Sequence, residues 1–301
     1  MKSILRIWHT ALWEWSGAIR SRRALVILLL YLASAVLCMN GSITILGKME
    51  KELVEVLQLP AADTAGVVSE ALWKSKPFTK IIRAIVGQGP VLDGIFGRHP
   101  VELLYAWFAF LCAPLLAVLV CGTRVSDDLR SGAVRYMLAR TTRLEWTLGK
   151  YIGQTFMIAV ALAVSSLGAA AVAFFSLSTD VAASLFLPML SWAFRAWLYS
   201  LSWVGIALGL SHLTRSPGRA TSLGIFAVCI LGVLSPVLTF LHSRYNLPDA
   251  VLHLKMLAPA CAEPSLWRFD AVPLVSGSFH LVILGLVYLM AGSSFFSRSD
   301  V

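Results

Sequence analysis

The chain has 301 residues, of which 58% are hydrophobic and only 14% charged. Soluble domains carry about 25% charged residues, so a sizeable soluble domain is excluded and an integral membrane protein is predicted. The formal charge of +9 is dispersed between apolar runs, without the basic stripe and interleaved aromatics of a nucleic-acid binder, and fits the Lys/Arg excess of cytoplasmic membrane loops.

Residues 1–23 place Ile4, Trp8, Ala11, Leu12, Trp15 and Ile19 at three- and four-residue steps, with Lys2, Arg6, His9 and Arg20 largely off that face. The spacing predicts an amphipathic helix in the membrane interface, with Arg20, Arg22 and Arg23 marking the inner side. Residues 24–46 form the first span. The basic stretch before it is too long for a signal peptide, which puts the N-terminus inside. The outer segment 47–100 is broken by Pro60, Pro77, Pro90 and Pro100; its apolar pairs at 67–68, 72–73, 81–82 and 85–86 predict short amphipathic helices. The second span is 101–122, opened by Pro100.

The stretch from Arg124 to Lys150 follows, RVSDDLRSGAVRYMLARTTRLEWTLGK. Nine of its 27 residues are charged, which excludes it from hydrocarbon. It reads as a cytoplasmic connection that meets a partner. Ser126 is expected to cap a helix with Asp127 and Asp128 in its first turn. Leu129, Ala133, Val134, Met137 and Leu138 form an apolar stripe, and Arg130, Arg135, Arg140 and Arg143 supply the charge. The third span is 152–175, with small residues from Gly168 to Ala173 that permit close helix contact.

Residues 181–213 are apolar for longer than one crossing requires, and Pro188 and Arg195 divide them. The prediction is an outer interfacial or re-entrant piece before Arg195 and a fourth span at 196–213. A rise of about 28 Å from Arg195 to Leu213 puts Arg195 near the outer headgroups. The turn TRSPGRA is followed by a fifth span, about 220–241, with a kink expected at Ser235-Pro236. Residues 242–276 form a second outer segment, 277–296 the sixth span, and SRSDV an inner tail. Fourteen of the 25 Lys and Arg fall in the four predicted inner segments, which orients both termini to the cytoplasm.

No span has an acidic or basic residue at its centre, which argues against a proton- or sodium-coupled carrier. His212 and His280 lie near span ends and read as packing residues. HExxH, GxSxG, GxxxxGK[ST] and CxxC are all absent from the sequence, so no catalytic, cofactor-binding or metal-ligating residue is assigned. Any ATP must be bound by another chain.

After the second span come Asp128, Gly132 four positions on, the apolar run Val134 to Leu138, Arg143, and the pair Gly149-Lys150. In this order, with six spans and an N-terminal interfacial helix, the chain resembles the ABC-2 type permeases. The likeness is greatest to separate six-span subunits such as those of nitrous-oxide-reductase maturation and gliding-motility systems. Many members have a proline before the arginine; this chain has Thr141-Thr142. TRSPGRA and the ending FFSRSDV are similar to the family's as well.

The resemblance implies an all-α membrane fold of ABC-2 exporter type in a bacterial cytoplasmic (inner) membrane. It implies a substrate path enclosed with a second copy or a homologous permease, and a separate nucleotide-binding ATPase subunit that supplies ATP hydrolysis. The 124–150 segment would be the ATPase-coupling element. Asp128, Leu129, Arg130, Gly132, Val134, Arg135, Met137, Arg143 and Lys150 are the candidate site residues: Leu129, Val134 and Met137 as apolar anchors, Arg130, Arg135 and Arg143 as charged contacts, and Asp128 as a cap or a partner of Arg130 or Arg135. The apolar lining favours an amphiphilic, lipid-like or peptide substrate. A membrane anchor without transport, and a membrane enzyme or carrier independent of ATP, stay open as alternatives.

Overall fold

A computed structural model describes residues 2–57, 95, 98–177, 179–245, 248 and 253–298. The described residues are almost entirely helical. In chain order they form α1 (Lys2–Arg20), α2 (Arg22–Leu57), α3 (Pro100–Cys121), α4 (Arg124–Ser131), α5 (Ala133–Leu138), α6 (Arg143–Ser176), α7 (Thr179–Ser211), α8 (Pro217–Tyr245), α9 (Glu263–Leu266) and α10 (Ala271–Arg298). Two 3-10 turns, Leu254–Leu257 and Pro259–Cys261, precede α9.

Six of these helices are long and apolar enough to cross a membrane. Their large apolar side chains face outward: Leu30 and Leu37 on α2, Phe226 and Phe240 on α8, and Val272 and Phe279 on α10 are all exposed. A water-soluble fold buries such residues. The arrangement suits a solvent of lipid, and the chain is a multi-pass membrane protein.

Helix α7 is the centre of the bundle. It packs against α3, α6, α8 and α10, while α2 lies against α3 and α6, and α1 against α6. Its buried face carries Trp192, Tyr199, Trp203, Val204, Ala207 and Leu208. Lipid tails are as apolar as these side chains, so close backbone contact must supply much of the association. Gly205 and Gly209 provide it. A Cβ at Gly205 would be driven into the Gly285 carbonyl, and one at Gly292 into Gly209. Because 205 meets 285 and 209 meets 292, α7 and α10 run in the same direction. The small residues predicted to bring the third span close to a neighbour do so at Gly168, where a Cβ would meet Leu32 of α2 at 2.6 Å.

One local expectation fails. Residues 179–211 form a single helix of 33 residues that runs through both Pro188 and Arg195; no separate interfacial piece precedes Arg195. Proline at an interior position forfeits one helical hydrogen bond. Here Leu185, Met189 and Trp192 flank it and are all buried, so the bundle holds both sides of Pro188 in line. The helix α8 likewise continues through Pro236. The amphipathic helices expected between 67 and 86 fall outside the described residues.

Arg195 anchors a cap at the end of the bundle where α3 begins. Its Nη1 donates to the carbonyls of Leu266 at 2.6 Å and Arg268 at 2.7 Å. The guanidinium lies 4.4 Å from the Phe269 ring centre and 5.1 Å from that of Trp192. Arg98 covers Phe269 at 4.1 Å. Trp192 donates to Glu102 at 2.7 Å and packs on Trp267, ring centres 4.9 Å apart. Arg195 is only 6% exposed; the headgroup position expected for it is filled by the chain's own carbonyls and aromatic rings. Nearby, Trp267 donates to Glu263 at 3.4 Å, and burial holds the Glu263 carboxyl above its usual range.

Candidate functional site

At the opposite end of the bundle, α1, α4, α5, the start of α6 and the end of α10 come together. The charged connection between α3 and α6 is built in short steps. Helix α4 ends at Gly132, whose φ of 74° is left-handed and which separates α4 from α5. A residue with a Cβ is strained there. Helix α5 is closed by Thr141, whose hydroxyl donates to the Met137 carbonyl at 2.9 Å.

Thr142 then caps α6. The Glu145 N–H donates to the Thr142 hydroxyl at 3.2 Å, and the Thr142 N–H to Glu145 Oε2 at 2.9 Å. This is a reciprocal capping box, and its T-x-x-E signature stands in the sequence at 142–145. As a departure from the proline of many ABC-2 permeases, Thr142 does not by itself signal this cap. Ser126, expected as a cap, is instead an interior residue of α4. Its N–H donates to Ser211 Oγ at 3.0 Å and its hydroxyl to the Thr123 carbonyl at 3.0 Å; it ties α4 to the end of α7.

The charges sort into two populations. The buried one centres on Lys150, which is 1% exposed. Its Nζ contacts Glu14 of α1, lies 2.7 Å from Asp128 Oδ2 of α4, and is 3.5 Å from the Arg124 carbonyl. Gln154 donates to the other Glu14 oxygen at 3.2 Å. Three helices thus contribute one charge each to a single buried point. The α1 backbone reaches it because α6 carries glycine where α1 crosses: a Cβ at Gly153 would come within 2.9 Å of both the Ala11 carbonyl and Glu14 Cβ. Arg6 of α1 adds an ion pair to Glu145 at 3.5 Å. Arg143 donates to the Phe296 carbonyl at 3.3 Å, with its guanidinium 5.1 Å from the Phe296 ring centre. A cation at the end of α10 complements the helix dipole.

The second population faces away from the bundle. Arg130, Arg135, Tyr136 and Arg140 are exposed, as is Leu144 beyond the capping box. Arg130 reaches Asp127 at 3.4 Å in an exposed pair.

The predicted site residues divide accordingly. Arg130 and Arg135 are exposed, and Leu129 and Met137 are half-buried against the core. Val134 is fully buried in the chain's own core, so it fastens α5 to the bundle and offers no anchor to a partner. Lys150 and Asp128 are engaged with each other, and the Asp128–Arg130 pair that was one expectation is taken by Asp127. Arg143 is spent on Phe296. Gly132 sets the turn. Glu14, Glu145 and Tyr136 were not singled out from the sequence. Glu14 is 136 residues from its partner, and no local pattern signals such a pairing.

Beside this connection a cleft of about 140 Å³ is lined by Leu129, His212, Leu213, Thr214, Arg215 and Phe296. His212 donates its Nδ1–H to the Leu208 carbonyl, which can only accept, at 2.8 Å. It packs edge-on to Trp146, ring centres 5.9 Å apart. Among the described residues, no three His, Cys, Asp or Glu side chains are grouped so as to hold a metal ion.

A family model described as ABC-2 family transporter protein matches residues 8–301. No curated protein matches the chain.

Proposed function

We propose that this chain, which belongs to the ABC-2 transporter family and is a multi-pass membrane permease, is the membrane half of an ATP-driven exporter. A separate ATPase subunit docks on the exposed face of the 124–150 connection. Two permease copies, or this chain and a homologue, enclose the substrate path. Both termini, α1 and the connection face the cytoplasm of a bacterial inner membrane, and the cap over Arg195 faces out.

The observation that carries this reading is the division of charge in the connection. Its interior charges are consumed in holding α1, α4 and α6 together, while Arg130, Arg135 and Arg140 stand outside on a short, well-fixed helical corner. A corner so fixed passes a push to the bundle. The lever arms are α1, tied through Glu14 and Arg6, α6, tied through Lys150, and α10, tied through Arg143. The sequence carries no phosphate-binding loop of its own, so the energy source resides in the docked subunit. The family resemblance supports export as the direction.

The test is purification from native membranes into nanodiscs, with mass spectrometry of what stays bound. Retention of a stoichiometric ATPase, lost when Arg135 and Arg140 are both reversed to Glu, is the expected result. A chain that emerges without an ATPase, even after crosslinking in the membrane, would refute it.

A further inference from the structure

We infer that Tyr136 is the principal anchor of the connection in its partner, and that the partner presents an aromatic-sized slot rimmed by acidic side chains. This rests on the proposal that an ATPase subunit docks on the connection, and it identifies the residue and the chemistry of that contact.

Helix α5 is AVRYML. Val134 is fully buried, and Met137 and Leu138 pack against the core. Tyr136 is two residues from Val134, which turns it about 200° around the helix axis, away from the bundle. It is 83% exposed. From residue 130 to 142 it is the only exposed large apolar side chain; the other exposed positions are Arg130, Ser131, Arg135, Ala139, Arg140 and Thr142. A single ring with charged neighbours is too little apolar area for a helix to lie in a bilayer. It is, however, the composition of an interface hot spot, where Tyr and Arg dominate and a ring fills a desolvated pocket.

The corner is also ordered in advance. Gly132, the buried Val134, the Thr141 hydroxyl on the Met137 carbonyl and the Thr142–Glu145 box fix α5 at both ends. Little ordering is left to be done when the partner arrives. The exposed cations outnumber the one exposed carboxylate nearby, Asp127, which Arg130 already engages. Complementarity therefore calls for carboxylates around the slot.

The experiment places a photo-crosslinking benzoylphenylalanine at 136, and separately at 140 and 144, in the chain expressed in its native membrane. Tyr136→Ala and Tyr136→Phe are assayed in parallel for ATPase retention. The expected result is an adduct from 136 to an Asp/Glu-rich peptide of a nucleotide-binding subunit. Retention should fall at least about tenfold in Tyr136→Ala and stay near wild type in Tyr136→Phe, which keeps the ring. Adducts from 140 or 144 to the ATPase with undiminished retention in Tyr136→Ala would overturn the anchor and leave the docking reading standing. Adducts to lipid alone from 136 would overturn it in favour of a membrane-facing ring. Capture of no ATPase from any of the three positions would overturn both.

Discussion

The two ends of the bundle treat charge in opposite ways. At the cap, Arg195 is closed on two carbonyls and two aromatic rings, and Glu102 and Glu263 each accept from a tryptophan. At the connection, Lys150, Asp128, Glu14 and Arg143 are similarly consumed, but Arg130, Arg135 and Arg140 remain on the surface around an exposed tyrosine. The cap is built to stay shut on itself. The connection is held on one side by these pairs and leaves its cations exposed on the other, the face to which docking is proposed above. Buried charge is costly unless paired, so where a chain leaves cations outside on an otherwise fixed corner, that face is the place to seek a partner.

The largest expected effect comes from breaking the buried centre. Lys150→Met leaves Glu14 and Asp128 buried with no ammonium and should cost about 3–5 kcal/mol, seen as a large drop in the melting temperature of the detergent-solubilised chain. Adding Glu14→Gln and Asp128→Asn removes the stranded charges and should restore most of that loss; a triple variant as unstable as the single one would contradict the account. Next is the cap. Arg195→Met strands the Leu266 and Arg268 carbonyls and should cost about 1–3 kcal/mol, with proteolysis appearing first in 253–270 and not at the connection.

The smallest effect sharpens the same contrast through pH. The Glu263 carboxyl is held above its usual range by burial, against the opposing hydrogen bonds from Trp267 and Tyr199. A raised carboxyl value means that the folded cap prefers the protonated form. Its contribution to stability is complete below the ordinary glutamate range and is lost as pH rises through the raised value. Wild-type melting temperature should therefore decline across that interval more steeply than that of Glu263→Gln. Equal slopes would remove Glu263 from the account.

The spans and the connection were legible in the sequence because each has a local signature: long uncharged runs, and a dense charge run between them. The amphipathic character of α1 was legible for the same reason. What covers an apolar stripe was not. Leu129, Val134 and Met137 do form a stripe, but periodicity says which residues share a face and not whether that face meets the chain's own core or a partner. The structure gives Val134 to the core, and with that Tyr136, on the opposite side, becomes the exposed large apolar residue of α5. The Glu14–Lys150 and Arg143–Phe296 ties join residues 136 and 153 apart and leave no local mark. Pro188 misled for a physical reason: a proline weakens a helix by one hydrogen bond, and buried neighbours on both sides outweigh that cost. The Thr142–Glu145 box, by contrast, is local and carries its T-x-x-E spacing in the sequence.

The division of charge is tested most directly by measuring melting temperature and ATPase retention on the same nanodisc preparations of two variants, Lys150→Met and the double reversal Arg135→Glu with Arg140→Glu. The readouts should separate: the double reversal melts within about 0.5 kcal/mol of wild type yet loses the ATPase, whereas Lys150→Met is strongly destabilised. If the double reversal instead kept its ATPase at wild-type level, or destabilised the chain as much as Lys150→Met does, the exposed face would not be the docking face and the central claim would fall.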